Sequence, residues 1–259
     1  MAKRSAQTRR RQQRQSGNFP GHEEDGGYGD NVRRLFDEPQ WSPLPQNADR
    51  NVKYRKNIRA QNDTQQTLID SIDEAPLVFA AGSAGTGKTY IAVAKAVEAL
   101  EAGQVRRIVL SRPAVEAGES LGFLPGDMEE KLSPYLRPLY DALVDRLSGK
   151  RLKTLLAEGV IEIAPIAYMR GRTLNNAYVV IDEAQNCTYG QLKMLLTRLG
   201  WNSKMVVTGD PAQTDLLPGL SGLENVVTRL EALDNIRVVR FGRADVVRHP
   251  LVAEMIDAL

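Results

Sequence analysis

Three stretches of this sequence put chemistry-bearing residues at the ends of apolar runs. The first lies in "FAAGSAGTGKTY". Residues 82–89, Gly82, Ser83, Ala84, Gly85, Thr86, Gly87, Lys88 and Thr89, match the pattern G-x-x-x-x-G-K-[ST] at every fixed position. Glycines let a backbone wrap an anion without side-chain obstruction. The N–H groups of such a turn point inward, and the start of a following helix adds partial positive charge. Lys88 supplies a mobile cation for the β- and γ-phosphates of a nucleotide, and Thr89 a hydroxyl ligand for Mg²⁺. A glycine-rich turn can arise by chance. The setting argues against that here, because an apolar run precedes the motif and a helical pattern starting at Lys88, Thr89 and Tyr90 follows it.

The second stretch is "YVVIDEAQN". Four apolar residues lead into Asp182 and Glu183. At the C-terminal end of a parallel strand these acids face the crevice where ligands bind. Asp182 is expected to hold Mg²⁺, directly or through water. Glu183, one residue on, is placed to orient and deprotonate water. A hydrolase needs that group, whereas a kinase delivering phosphate to an alcohol does not. A pair of helix-capping acids is the plain alternative. The third stretch, "VVTGDPAQTD", ends another strand and offers Gln213 as a contact to the γ-phosphate or the attacking water. Its Gly-Asp-Pro is equally ordinary turn chemistry.

Positioning these groups requires strands and helices in alternation. "PLVFAA", "RRIVLSRP", "VIEIAP", "AYVVIDEAQN", "KMVVTGDPAQ" and "IRVVRF" read as strands, several of them continuous apolar runs of the kind buried on both faces. "NDTQQTLIDSIDEA" has helical spacing with Asn62 or Asp63 as N-cap. "KTYIAVAKAVEALEAG" is helical up to Gly103, and "YGQLKMLLTRLG" up to Gly200. Residues 127–157 read as mostly helical, interrupted near Pro134, Pro138 and Gly149. A helix near 219–233 and a terminal helix "LVAEMIDA" complete the pattern. The alternation predicts an α/β fold: a parallel sheet covered by helices on both faces, with the P-loop pattern at one strand end, in a single domain.

The chain has 259 residues, 42 % hydrophobic and 25 % charged, a globular profile. Residues 1–57 read instead as a basic, largely flexible arm without apolar periodicity, and residues 58–259 as the folded domain. The first eighteen residues hold Lys3, Arg4, Arg9, Arg10, Arg11 and Arg14 and no acid, so a net charge of +2 leaves the remainder acidic. Six clustered cations suit nucleic-acid phosphates, and equally a solubilising tail. The arm lacks the apolar segment of a secretory signal, and no apolar run approaches the ~18 residues of a membrane span. One cysteine excludes an intrachain disulfide, and with two histidines it cannot build a zinc cage. A cytoplasmic setting is expected, with no membrane partner.

Taken in order, the residues Asn62 and Gln65, "GSAGTGKT", "SRPAVEAGESLGFLPGDMEEKLSPYLRPL", "YMRGRTLNNAYVVIDEAQN", "VVTGDPAQTD" and "FGRADVVRHPLV" resemble the PhoH family of P-loop ATPases. That family is similar to the first motor domain of superfamily 1 helicases, and the resemblance covers about residues 58–257. It implies ATP with Mg²⁺ as the cofactor. Gln65 would read the adenine edge, and Gly82, Gly85, Gly87, Lys88 and Thr89 would form the phosphate and metal site. Asp182 would hold the metal, Glu183 would activate water and Gln213 would sense the γ-phosphate. Members linked to phosphate starvation and to RNA unwinding imply RNA, or another single-stranded nucleic acid, as partner.

A helicase motor of that class places ATP between two sheets, and an arginine from the second stabilises the transition state. The segment beyond Gln213 is too short for a second sheet of roughly 150 residues. The expectation is therefore slow turnover, or an arginine supplied by a neighbouring subunit in a homo-oligomeric ring, a hexamer on the family pattern. The candidates are Arg170, Arg172, Arg243 and, first by that pattern, Arg248. Ser111 and Arg112 could contact polymer phosphate, or Arg112 could pair with Glu116 or Glu119. Three functions stay in competition: a nucleic-acid-dependent ATPase, a kinase using the same cradle, and a non-catalytic or slow nucleotide switch.

Overall fold

The computed structural model describes residues 58–113 and 128–247. The first helix, α1 (Asp63–Glu74), starts where the Asn62 side chain accepts a hydrogen bond from Gln65 N, which settles Asn62 as the N-cap. It leads into β1 (Leu77–Gly82), α2 (Lys88–Glu101) and β2 (Arg107–Arg112). Gly103, just past α2, has φ +70°, the left-handed stop expected of it. After the undescribed stretch come α3 (Met128–Arg146), α4 (Gly149–Ala157), β3 (Ile161–Pro165) and β4 (Ala177–Ile181). The described chain ends with α5 (Tyr189–Leu196), β5 (Lys204–Gly209), α6 (Leu223–Leu230) and β6 (Ile236–Phe241).

The six strands form one sheet in the order β3-β2-β4-β5-β1-β6, and every pairing is parallel. Side chains alternate across it with a period of two. Val78 and Ala80 of β1, Ile108 and Leu110 of β2, Tyr178 and Val180 of β4 and Val206 of β5 enter the core under α1–α4. Leu77, Phe79, Val109, Val179, Ile181, Met205 and Val207 enter the opposite core under α5 and α6. Both faces are covered, which is why the strands read as unbroken apolar runs. The expected α/β sheet with helices on both faces is present.

Two local expectations change. Pro138 does not interrupt α3, which runs through Pro134 and Pro138 to Arg146; the break comes at Ser148, whose side chain caps α4 by accepting from Arg151 N. An internal proline costs about 3 kcal/mol. Burial of Leu136, Leu139, Tyr140 and Leu143 on the same helix outweighs it. Gly200 does not close α5, which stops at Leu196. A Cβ at Gly200 would lie 2.2 Å from Asn175 Oδ1 and 2.8 Å from Leu174 O, so the glycine permits close chain approach there. The terminal helix foreseen in "LVAEMIDA" and the arm of residues 1–57 lie outside the described residues.

The topology brings the three motifs together. β1 lies between β5 and β6, yet the chain leaves it through α2 to reach β2 beyond β4. Register pairs Ala81 with Gly209, Gly82 with Phe241 and Ser111 with Ile181. The C-terminal ends of β1, β2, β4 and β5 therefore lie along one edge, the ligand edge of a parallel sheet.

Candidate nucleotide site

The loop between β1 and α2 is shaped by three glycines with positive φ: Gly82 at +132°, Gly85 at +78° and Gly87 at +84°. At Gly82 a Cβ would stand 2.0 Å from Phe241 O, so β6 packs against the loop only because no side chain intervenes. Gly87 is the N-cap of α2, and a Cβ there would crowd Gln65 Nε2 at 3.0 Å. Lys88 Nζ folds back over the loop. It donates to Gly82 O and Ser83 O, both at 2.7 Å, and to Thr86 Oγ1 at 3.3 Å. Thr86 Oγ1 in turn donates to Ser83 O at 2.9 Å. Burial pulls the Lys88 ammonium below its usual pKa, against the opposing influence of Asp210, Glu183 and Asp182.

The acidic pair stands opposite. Asp182, 2 % exposed, accepts on Oδ1 from the hydroxyls of Thr89 and Thr208, each at 2.6 Å. Its Oδ2 lies 3.5 Å from Arg112 Nη1, and the other guanidinium nitrogen reaches Glu183 Oε1 at 3.3 Å. Glu183 itself has φ +53°, a left-handed conformation that is uncommon for glutamate and holds it at the turn after β4. Its second oxygen accepts from Gln185 Nε2. Thr89, Thr208 and Asp182 gather only oxygen donors, the chemistry a hard cation such as Mg²⁺ selects, so the residues present fit that ion. Among the described residues no cluster of three or more His, Cys, Asp or Glu could hold a metal by itself. A Mg²⁺ site does not require one, since that ion is commonly held by one or two carboxylates and otherwise by water and phosphate oxygens.

These groups line a cavity of about 610 Å³. Ala84, Gly85, Gly87, Lys88, Thr89 and Tyr90 form one wall and Asp182, Glu183, Asp210 and Gln213 another. Arg112 and the α3 residues Pro138, Asp141 and Ala142 close the far side. The Tyr90 hydroxyl donates to Asp145 Oδ2 at 2.5 Å. Burial, followed by the Asp145 hydrogen bond, raises its pKa.

The other anticipated side chains have the following surroundings. Gln65 is 5 % exposed and its amide is engaged within the chain. Its Oε1 accepts from Gln61 N at 2.8 Å, and its Nε2 donates to Thr86 O at 3.0 Å. In this structure Gln65 braces the phosphate loop from behind. Arg112 pairs with the site acids, while Glu116 and Glu119 lie outside the described residues. Arg172 is bound by Glu162 through both terminal nitrogens, at 2.5 and 2.7 Å. Arg170 and Arg243 are exposed and do not line the cavity, and Arg248 lies outside the described residues.

The family described as PhoH-like protein matches residues 57–259. This chain belongs to that family. Over 204 residues, 78 % of the chain, it is 57 % identical to a PhoH-like protein of Mycobacterium tuberculosis and 56 % identical to one of Bacillus subtilis. Over the same length it is 48 % identical to Protein PhoH of Escherichia coli. It spans 58 to 64 % of the length of these relatives. Among solved structures it is similar to the large terminase of a thermophilic bacteriophage (TM-score 0.47, 11 % identity, 75 % of this chain and 49 % of that one). It is also similar to the Pif1 helicase of Candida albicans (TM-score 0.42, 15 % identity, 77 % and 43 %). The PhoH-like match contains all three chemistry-bearing stretches.

Asp210, Gln185, Thr208 and the α3 wall were not foreseen as site residues. Asp210 and Gln185 stand inside two of the motifs but look like turn and cap residues there. Thr208 and Arg112 sit at strand ends on the same edge, and that position was the available signal. Nothing local announces Pro138, Asp141 and Ala142, because only tertiary packing brings α3 over the cavity.

Proposed function

We propose that this chain hydrolyses ATP with Mg²⁺ and couples the reaction to single-stranded nucleic acid, RNA by the family resemblance, as a homo-oligomer. The observation that carries the hydrolytic reading is Glu183. It is a carboxylate on a left-handed turn, one residue past the oxygen site of Asp182, in the cavity that Lys88 enters. The loop amides and Lys88 bind the β- and γ-phosphates. Thr89 and Asp182 would hold Mg²⁺, which would neutralise charge building on the phosphates. Glu183 takes the proton of the attacking water, and Gln213, which lines the same cavity, would orient that water or the γ-phosphate. The nucleic-acid and oligomer parts rest on family membership and on the basic arm.

A second reading, a slow or non-catalytic nucleotide switch, draws on one observation. Among the described residues, none of the arginines considered for completing the site lines the cavity. One assay separates the two: phosphate release with and without single-stranded RNA on wild type, Lys88→Ala and Glu183→Gln. An RNA-stimulated ATPase releases phosphate only as wild type, and Glu183→Gln retains ATP. A switch shows equal, negligible release in wild type and Glu183→Gln, with nucleic-acid binding that still depends on the bound nucleotide. Transfer of phosphate to an added alcohol in place of water would restore the kinase reading. Light scattering that finds only monomer at full activity removes the ring.

A further inference from the structure

The hydrogen bonds around the acidic pair join into one chain that runs from the phosphate loop to Glu183. Ala84 N–H donates to Asp210 Oδ2 at 3.1 Å, while Asp210 Oδ1 accepts from Ala212 N at 3.0 Å. Asp210 N–H donates to Gln185 Oε1 at 2.9 Å. The other end of that amide, Gln185 Nε2, donates to Glu183 Oε2 and to Gln213 O, the latter at 3.3 Å. Gln185 is 2 % exposed and Asp210 7 %, so water competes little for these bonds. Gly209 makes the room: a Cβ there would stand 2.7 Å from Gln185 Oε1 and 3.1 Å from Gln185 N. One buried side-chain amide thus ties the loop after β5 to the carboxylate after β4.

We propose that Asp210 and Gln185 are positioning residues forming a relay: Asp210 occupies the Ala84 amide until the triphosphate takes it, and Gln185 passes that change to Glu183. The relay rests on the hydrolytic reading above. A single N–H cannot serve a carboxylate and a phosphate oxygen at once, and the two anions repel across so short a gap. Asp210 is the foremost of the three acids acting on Lys88, the cation that must also meet the incoming phosphates. When phosphate claims Ala84 N–H, Asp210 keeps Ala212 N–H and its own N–H shifts against Gln185 Oε1. The Gln185 amide is planar and turns as a unit, so Nε2 alters its hold on Glu183 Oε2. Glu183 is then pinned between Gln185 and Arg112 while the loop lacks phosphate, and is released toward water when the loop is filled.

The test uses the full chain with Asp210→Asn, Gln185→Met and their double variant, and Glu183→Gln as reference. Calorimetry reads the Kd of ATP and ADP, and phosphate release reads kcat and KM across pH. Asp210→Asn lightens the charge competing for Ala84 N–H and tightens both nucleotides by about fivefold. Gln185→Met lowers kcat on the order of a hundredfold through a misplaced base, leaves nucleotide Kd unchanged and moves the acid limb of the kcat profile. In the double variant the two effects are not additive. If Gln185→Met does not fold, Gln185→Glu keeps the acceptor for Asp210 N–H, removes the donor to Glu183 and gives the same loss in kcat. The relay is overturned if the Gln185 variants turn over like wild type, or lose binding and kcat in equal measure with no shift in the pH profile. Unchanged or weaker nucleotide binding in Asp210→Asn overturns it as well. Hydrolysis surviving in Glu183→Gln defeats the parent reading instead, and the Asp210→Asn binding measurement still decides the relay's first step.

Discussion

The two edges of the sheet make an instructive pair, because each carries a cavity lined by lysine and acidic side chains. At the C-terminal edge the cavity holds about 610 Å³, and at the N-terminal edge about 520 Å³. The second is lined by Asp73, Lys95, Glu98, Tyr178 and Lys204 among others. There, charge is matched locally. Lys95 Nζ sits 2.8 Å from Asp73 and 3.1 Å from Glu98. Lys204 Nζ donates to the carbonyls of Ile72 and Asp73, the exposed C-terminal end of α1, where a cation is favoured. At the other edge, among the described residues, Lys88 donates to loop oxygens, and the acids are held by Arg112, two threonines and Gln185. The pKa directions record the difference. Burial lowers Lys88 despite three acids, whereas at Lys95 the opposing pull of Asp73 and Glu98 overcomes burial and the pKa rises. Lys95 is held by carboxylates, whereas Lys88 donates to uncharged loop oxygens while Asp210, Glu183 and Asp182 act on its charge.

The largest expected contrast is between the two lysines. Lys88→Ala reduces phosphate release on the order of a thousandfold through loss of a preorganised transition-state cation. Lys95→Met, in the same assay, leaves release within about twofold, since pairing on the far edge takes no part in the chemistry. Equal losses in both variants would erase the distinction between the edges. The glycines give the next contrast. Gly82→Ala destabilises the chain by about 2–4 kcal/mol in urea unfolding, because its Cβ meets Phe241 O at 2.0 Å on a backbone with φ +132°. Gly103→Ala, with φ +70° and open space around its Cβ, costs only about 1 kcal/mol.

Much of this was legible in the sequence, for a physical reason. A strand buried on both faces has to be continuously apolar, and residues at its C-terminal end then have to be at the ligand edge. That logic located residues 82–89, Asp182, Glu183 and Gln213 without coordinates. It says less where a side chain can meet more than one partner. The contact of Gln65 Nε2 with the Thr86 carbonyl depends on packing distance, which spacing along the chain does not reveal. For Arg112 the sequence offers a polymer phosphate, or Glu116 or Glu119 in the following segment. Its guanidinium went to Asp182 and Glu183 because β2 and β4 are neighbours, a fact of strand order. Pro138 illustrates the remaining case: a local helix breaker tolerated because Leu136, Leu139, Tyr140 and Leu143, among others on its helix, are buried.

Alkaline titration sharpens the comparison further. A lysine with a raised folded pKa contributes stability that is fully present below the unfolded value of 10.5 and lost as pH rises through its folded pKa. Lys95 is of that kind. Lys88 is the reverse: its folded pKa is lowered, the unfolded chain binds more protons between that value and 10.5, and its contribution grows as pH climbs through that window. The difference in unfolding free energy between wild type and Lys95→Met should therefore shrink above pH 10.5. The difference between wild type and Lys88→Met should move in wild type's favour as pH approaches 10.5 from below. Parallel curves for the two variants contradict the opposed environments.

The smallest effect tests whether the N-terminal edge is as complete as its ion pairs suggest. Tyr178 is 1 % exposed at the start of β4, and among the described residues its hydroxyl has no hydrogen-bond partner. Burial, with Asp73 and Glu98 nearby, drives its pKa well above the usual value, so the group stays neutral. A buried hydroxyl without a partner forfeits its hydration and gains nothing in return. Tyr178→Phe removes that deficit while keeping the ring packed beside Val180 in the core under α1–α4. The expected result is a stability equal to wild type or higher by about 1 kcal/mol, read as the urea midpoint at constant slope. A loss of stability on the same scale would mean that the hydroxyl is satisfied in solution. The cavity of Lys95 and Lys204 would then hold ordered water or another polar group against Tyr178, and the two edges would differ less than their lysines imply.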